Sequence, residues 1–253
     1  MLTLDQATLH RSQRTLFQNV SMNIATGCIT VVLGPNGAGK SSLLLALAGL
    51  LKLDSGRVDV DGKSLAEFSR QDIASRMAWL GELPPTEFGL TVVQRLLLAA
   101  GERVSNGAVQ QAAASMDIER LLDRDLGQLS AGERQRVELA AITLRDCPIW
   151  LLDEPVSHLD LHHQQSTLEM LKKQTQQGRT IIIVLHDLHQ ATAVADHAIL
   201  LDGKGGLASG KADAMMEIGR MQALFGSGLI VCETGSGMSF LAPDYLGGSH
   251  ESS

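Results

Sequence analysis

The hydrophobic rhythm of the chain changes along its length, and the changes predict its layout. Near the N-terminus, apolar positions fall in short runs. Residues 3–9 predict a strand, and 18–24 alternate enough for another. Ile29–Leu33 is an apolar, β-branched run of the kind a buried strand carries. Residues 42–49 read as a helix. Residues 57–60 run into the turn pair Asp61-Gly62, an edge-strand or hairpin signal, and Met77–Leu80 is a further short strand. Between Thr91 and Leu144 the chain becomes rich in Ala, Leu, Glu, Gln and Arg, which favour helix. Thr91 is placed to cap a helix carrying Val92, Val93, Leu96, Leu97 and Leu98. Residues 108–116 predict a second helix, and 131–144 a third, with Val137, Ala140, Ala141 and Leu144 at helical spacing. Strand and helix then alternate through 149–152, 161–175, 180–185 and 198–201.

That alternation predicts an α/β protein with a mixed or parallel sheet covered on both faces. An antiparallel β part precedes the sheet, and the helical stretch interrupts it. The expected division is a discontinuous core of residues 1–86 and 147–226 with a helical subdomain of residues 87–146. A C-terminal unit, 227–253, holds a hairpin of 229–232 and 238–241 around Thr234-Gly235-Ser236-Gly237, followed by a small polar tail.

Composition narrows the function classes. The 253 residues allow one large or two small domains. The net charge of −7 argues against nucleic acid as the main partner, because phosphate backbones need basic surface. Cys28, Cys147 and Cys232 form no C-x-x-C pair and read as reduced thiols in or near the core of a cytosolic protein. The longest apolar run, 43–51, has nine residues, against about 20 for a membrane span. The first residues lack the basic-then-apolar pattern of a secretion signal.

The strongest chemical signal is Gly34-Pro35-Asn36-Gly37-Ala38-Gly39-Lys40-Ser41, with Ser42 following. It meets every fixed position of G-x-x-x-x-G-K-[ST], between a predicted strand and a predicted helix. Glycines let the backbone N–H groups turn inward around a phosphate, and the helix start adds partial positive charge. Lys40 can reach the β- and γ-phosphates, and the Ser41 hydroxyl can ligate Mg²⁺. A glycine-rich turn that binds nothing is the plain alternative, and the complete match in this context weighs against it. ATP and Mg²⁺ are therefore the expected cofactors.

A second signal is the strand 149–152 running into Asp153-Glu154. Ligands of open parallel sheets sit at the carboxyl ends of strands, and successive strand residues face opposite ways. One carboxylate can hold Mg²⁺ while the other activates a water. An isolated acidic pair of this kind would more often cap the next helix. A third signal is Leu129-Ser130-Ala131-Gly132-Glu133-Arg134-Gln135-Arg136, a turn entering a helix, suited to an anion or to simple capping.

Here a resemblance becomes specific. Residues 129–136 look like the L-S-G-G-Q signature of ATP-binding-cassette (ABC) ATPases, with Ala131 and Glu133 as tolerated variants. Residues 150–154 resemble that family's Walker B strand, Ser157-His158-Leu159-Asp160 its D-loop, and His186 its switch histidine. The motifs stand in order between about residues 3 and 210, nearly the whole chain. The resemblance implies a P-loop NTPase (RecA-like) core and a head-to-tail homodimer. Each ATP would lie between one subunit's phosphate loop and the other's Ser130 and Gly132. Glu154 would be the general base, Asp153 and Ser41 would hold Mg²⁺, His186 would contact the γ-phosphate and Asp160 would link the two sites. Residues 158–164 and 184–188, with Leu224-Phe225-Gly226 and the C-terminal hairpin, look like the importer branch for iron–siderophore complexes, haem and cobalamin. That branch implies integral-membrane permease partners, indirectly an external solute-binding protein, and a peripheral place on the cytoplasmic face.

Two positions depart from the family. Glu82 stands where an amide that contacts Mg²⁺ and water is usual, so it enters the candidate catalytic and metal sets. His10-Arg11-Ser12 stands where an aromatic residue usually stacks on adenine. Isolated histidines at strand ends are more often structural than catalytic, and His186 is set apart by following the strand 180–185. His162 and His163, adjacent at a helix start, are expected to point apart as surface or interface residues. Asp160 can also cap that helix. The rival readings are a soluble cassette ATPase such as an iron–sulfur assembly scaffold, a DNA-repair ATPase, which would need long coiled-coil heptads, and a phosphoryl-transfer kinase.

Overall fold

The structure, a computed structural model, describes residues 1–12, 14–81, 83, 89–101, 106–226, 228–233 and 239–243. Strands β1 (Leu2–Arg11) and β2 (Arg14–Ile24) pair antiparallel. Gln6, at φ +46°, breaks the alternation of β1, and the register shifts between Leu4 and Ala7. The bulge lets Leu2, Leu4, Ala7 and Leu9 all enter the same core cluster. β3 (Ile29–Leu33) leads into α1 (Lys40–Leu47). β4 (Ser55–Val60) and β5 (Lys63–Ser64) complete a four-stranded sheet of order β2-β1-β4-β5.

The larger sheet has the order β10-β9-β3-β8-β7-β6, formed by β6 (Met77–Leu80), β7 (Ile149–Asp153), β8 (Thr180–Val184), β9 (His197–Leu201) and β10 (Leu207–Lys211) with β3. β10 is antiparallel to β9, and the other pairings are parallel. All positions of β3 and β8 are buried, which is why their sequences are continuous apolar runs. Neighbouring residues serve opposite cores. Val32, Leu151, Ile182 and Val184 pack with α1 and the smaller sheet, whereas Val31, Leu152, Ile181 and Ile183 join the helices of the other face.

Those helices include α3 (Val92–Ala100), α4 (Asn106–Ser115) and α5 (Ala131–Thr143). Thr91 caps α3 as expected, in a reciprocal box with Gln94. Arg95 of α3 makes a two-pronged pair with buried Glu138 of α5, at 2.9 and 2.5 Å. α6 (Leu161–Gln176) packs on β3 and β8. Several elements go beyond the sequence expectation. They are α2 (Arg70–Arg76), α7 (Leu188–Val194), α8 (Ala212–Met215), α9 (Ile218–Phe225) and the strands β5 and β10. They are short, so their periodicity carries little signal. β11 (Leu229–Glu233) and β12 (Ser239–Pro243) form the expected antiparallel pair, and β12 lies against α7. Residues 234–238 between them and the tail from 244 lie outside the described residues. Among the described residues no helix is long and apolar enough to cross a membrane.

Candidate functional site

Sheet order decides where chemistry can meet. β3, β8 and β7 are neighbours, so the segments leaving their carboxyl ends share one edge of the sheet. Those segments carry the phosphate loop, His186 and the Asp153-Glu154 pair. A cavity of about 600 Å³ opens there, lined by Asn36, Gly37, Gly39, Lys40, Ser41, Ser42, Glu154 and His186, with Arg11 and Leu16 from the smaller sheet. A second cavity of about 180 Å³ adjoins Ser41 and Glu154 and is lined by Gly81, Leu83, Gln135, Asp153, Ser157 and His158.

The loop conformation requires its glycines. Gly34 passes so close to β9 that a Cβ there would lie 2.4 Å from the Leu201 carbonyl oxygen. Gly39, at φ +100°, stands at the N-cap of α1 and offers no capping side chain, and the first turn holds no acidic residue. Its helix start is left open to an outside anion. Ala38 is buried and its N–H donates to the Pro35 carbonyl at 3.1 Å, closing the turn. Lys40 is only 6% exposed. Its Nζ donates to the carbonyls of Gly34 (2.9 Å) and Pro35 (3.2 Å), and among the described residues no carboxylate is bonded to it. Burial pushes its pKa down, against the raising influence of Glu154 and then Asp153. A buried cation without a bonded counter-charge is suited to a phosphate.

Asp153 ends β7 beside this cation. Burial pushes its carboxyl pKa up, opposed by the Ser41 hydroxyl, and Glu154 raises it further. Its Oδ1 is buried without a hydrogen-bond partner among the described residues. A desolvated carboxylate oxygen lacking a donor, next to a serine hydroxyl, fits a small divalent cation. Glu154 sits at φ +50°, a left-handed conformation that non-glycine residues seldom adopt. Ser157 stabilises this turn by donating its N–H (3.2 Å) and hydroxyl (3.0 Å) to the Glu154 carbonyl. The turn sends the two carboxylates apart. Asp153 points toward Ser41, and Glu154 Oε1 meets His186 Nε2 at 2.6 Å. Both members of that pair remain partly exposed to the cavity, at 46% for His186 and 42% for Glu154. This arrangement can seat a triphosphate, hold a cation, and place a base and a histidine where a water could attack.

Ser130, Gly132 and Asp160 line neither of the two cavities. Ser130 caps α5, and Glu133 closes the box: Ser130 N–H donates to Glu133 Oε2 at 2.9 Å, and Glu133 N–H donates back to Ser130 Oγ at 3.2 Å. Gly132 lies under the D-loop, where a Cβ would come within 2.8 Å of the His158 carbonyl oxygen. Asp160 caps α6 by accepting the His163 N–H at 2.9 Å. Glu82 lies outside the described residues; its neighbours Gly81 and Leu83 border the smaller cavity. Of His10, Arg11 and Ser12, which stand where the family's adenine-stacking aromatic is usual, only Arg11 lines the large cavity, with Nη1 3.3 Å from Ser42 Oγ. His10 instead engages Asp54 at 3.1 Å.

His163 corrects the sequence expectation. Its side chain and that of His162 do not point apart. Its ring lies 5.4 Å from that of His162, edge to face, and contacts Asp160 on one side and Arg136 on the other. Arg136, Gln164 and Gln190 were not singled out from the sequence. Gln164 Nε2 donates to Leu159 O at 2.9 Å and Val156 O at 3.3 Å, while its Oε1 accepts from Gln190 Nε2 at 2.7 Å. A helix start reads as polar surface in one dimension, and only the neighbouring loop and helices show its partners.

Comparison with known proteins agrees with this geometry. A family profile described as "ABC transporter" matches residues 17–157. The hemin import ATP-binding protein HmuV of Shewanella denitrificans is 34% identical, over 80% of this chain and 84% of its own length. The achromobactin transport ATP-binding protein CbrD of Dickeya dadantii is 32% identical, over 88% and 87%. Among solved structures, a metal-chelate type ABC transporter in an inward-facing conformation superposes with a TM-score of 0.81. It is 23% identical and covers 97% of this chain and 98% of its own, a likeness of fold. A further one, an ATP binding subunit of an ABC transporter, superposes at 0.77 with 24% identity, covering 87% and 94%. The chain belongs to the ABC transporter family and is one of its ATP-binding, ATP-hydrolysing proteins.

Proposed function

We propose that this ATPase energises a membrane importer for an iron–siderophore complex, haem or cobalamin, by closing as a head-to-tail homodimer on ATP. The observation that carries the catalytic part is the convergence of buried Lys40, Asp153 with its orphaned oxygen, and the Glu154–His186 pair on one sheet edge. Lys40 and the N–H groups of residues 34–42 bind the β- and γ-phosphates. Ser41 and Asp153 would hold Mg²⁺, which when bound offsets phosphate charge. Glu154 takes a proton from the attacking water, and His186 holds that carboxylate and the γ-phosphate in register. Glu82, in the place of an amide, would stand near the same cation.

Ser130, Gly132 and Asp160 fall outside the cavity of their own chain, which supports a composite site completed by a second subunit. The same reading takes residues 87–146 as the helical signature unit, supported by the mutual packing of α3, α4 and α5. It places 1–86 and 147–226 as the core and 227–253 as the C-terminal unit. Haem or a siderophore complex as cargo is supported by hemin import by HmuV and achromobactin transport by CbrD; cobalamin and the permease partners follow from the importer-branch resemblance of residues 158–164 and 184–188. The subunit would then work at the cytoplasmic face, with an external solute-binding protein delivering cargo. The test is co-purification from detergent extracts with an integral-membrane protein, followed by ATP-driven uptake in proteoliposomes. An ATPase that is fully active and never found with a permease would favour the soluble-cassette alternative.

A further inference from the structure

We propose that His163 is a positioning residue that ties the D-loop to α5 as a neutral imidazole carrying its proton on Nδ1. Its consequence for turnover rests on the function proposed above, whereas its protonation state does not. Asp160 Oδ1 accepts the His163 backbone N–H and also faces the ring's Nδ1, both at 2.9 Å. The other ring nitrogen, Nε2, lies 3.1 Å from Arg136 Nη1. A guanidinium only donates and stays charged, so Nε2 must present a lone pair. A carboxylate only accepts, so Nδ1 must present the proton. The opposite neutral form would set N–H against N–H on one side and lone pair against carboxylate on the other.

The charged groups around the ring are Arg136 of α5, Asp117 from the segment before it, and Asp160; His162 stands edge-on. A doubly protonated ring would keep Asp160 but turn its second proton on Arg136. Asp117 Oδ2, 3.9 Å from Nε2, would then draw the ring away. Arg136 is a firm anchor. Its side chain is 8% exposed, and Nη1 shares its two hydrogens among the His163 ring nitrogen and the carbonyls of Met116 (3.0 Å) and Asp117 (2.8 Å).

The next residue completes the device. Gln164 holds the Val156 and Leu159 carbonyls and is itself held by Gln190 of α7, the helix that follows His186. The first turn of α6 thus grips residues 156–160 from two sides, toward α5 through His163 and toward α7 through Gln164. A shift of α5 or α7 is passed to Asp160 through these hydrogen bonds.

Two measurements test this. Long-range proton–nitrogen correlation on histidine-labelled protein, with His163→Phe for assignment, should show a protonated Nδ1 and an unprotonated Nε2. The reverse pattern, or a ring protonated on both nitrogens at neutral pH, would overturn the proposal. Steady-state kinetics of His163→Asn and His163→Gln form the second arm. Asn can keep the donor toward Asp160 and lose the acceptor for Arg136; Gln does the opposite. Each should lower kcat about five- to tenfold, the size of one net hydrogen bond, with KM for ATP within about twofold. Wild-type kcat in the Asn variant would show that only capping by Asp160 matters, and in the Gln variant that the D-loop contact is idle. Either result overturns the bridge. ATP hydrolysis that survives Lys40→Ala would instead overturn the catalytic reading and leave the tautomer result standing.

Discussion

Two helix starts in this molecule turn backbone N–H groups outward, and they differ in what answers them. At α1, Gly39 supplies no cap, the first turn has no acid, and buried Lys40 stands behind the opening. At α5, the chain supplies its own anion. Glu133 Oε2 accepts from both the backbone N–H and the hydroxyl of Ser130, each at 2.9 Å. Those bonds, the backbone one foremost, hold the Glu133 carboxyl below the usual carboxylate range. At the first, neither the cap residue nor the first turn supplies an acceptor for the exposed N–H groups. At the second, the Ser130 and Glu133 N–H groups are answered within the chain, so a phosphate there would draw on the N–H groups of Ala131 and Gly132 or displace Glu133. A helix N-terminus thus offers an anion only those N–H groups that its own cap leaves unanswered.

The largest break in this comparison comes from Lys40→Ala. It removes the buried cation of the open site, and ATP affinity should fall by roughly 10²-fold or more. Calorimetric titration checks it, and unchanged affinity would sink the phosphate-loop assignment. Next comes Glu154→Gln, which leaves the open site's binding intact and removes its base. Hydrolysis should fall by roughly 10²-fold, while ATP still binds and the variant elutes as an ATP-bound dimer on size exclusion. Turnover near wild type would place the base elsewhere.

Mixing subunits tests whether the two helix starts meet. Ser130→Arg and Lys40→Ala chains together would put both defects in one composite site and leave the other whole. ATP-dependent pairing should recover relative to either variant alone, and no recovery at any ratio argues against a shared site. The smallest effect is expected for Glu133→Gln. The amide can still accept from Ser130 but no longer brings a negative charge to α5. The concentration needed for ATP-dependent pairing should fall about two- to fivefold, the scale of one exposed charge at a helix end. Sedimentation of wild type and variant side by side gives the answer, and identical curves would mean that Glu133 swings clear without cost.

The phosphate loop was legible because its chemistry is contiguous. A strand, a glycine turn and a helix start within residues 29–42 fix their own geometry, and Gly34, Gly39 and Lys40 stand where the pattern placed them. The Walker B pair was legible as a strand end, but not the turn that separates its carboxylates, since φ +50° at Glu154 is a choice made by the surrounding fold. The bulge at Gln6 escaped for a similar reason: alternation shows that a strand exists and not where its phase slips. His163 was misread because adjacency on a helix says where side chains start and not what lies opposite them.

The amino-acid sequence alone determined what this protein can bind and which strands and longer helices would form. Those properties depend on local backbone preference and on the period of apolar residues. Tertiary structure alone decided the neighbours. Placing β8 between β3 and β7 brings His186 within 2.6 Å of Glu154, and folding α6 beside α5 sets Asp160 and Arg136 on opposite sides of one imidazole. Such contacts join residues far apart in the chain. Their geometry follows from how sheets and helices pack, which no single segment encodes.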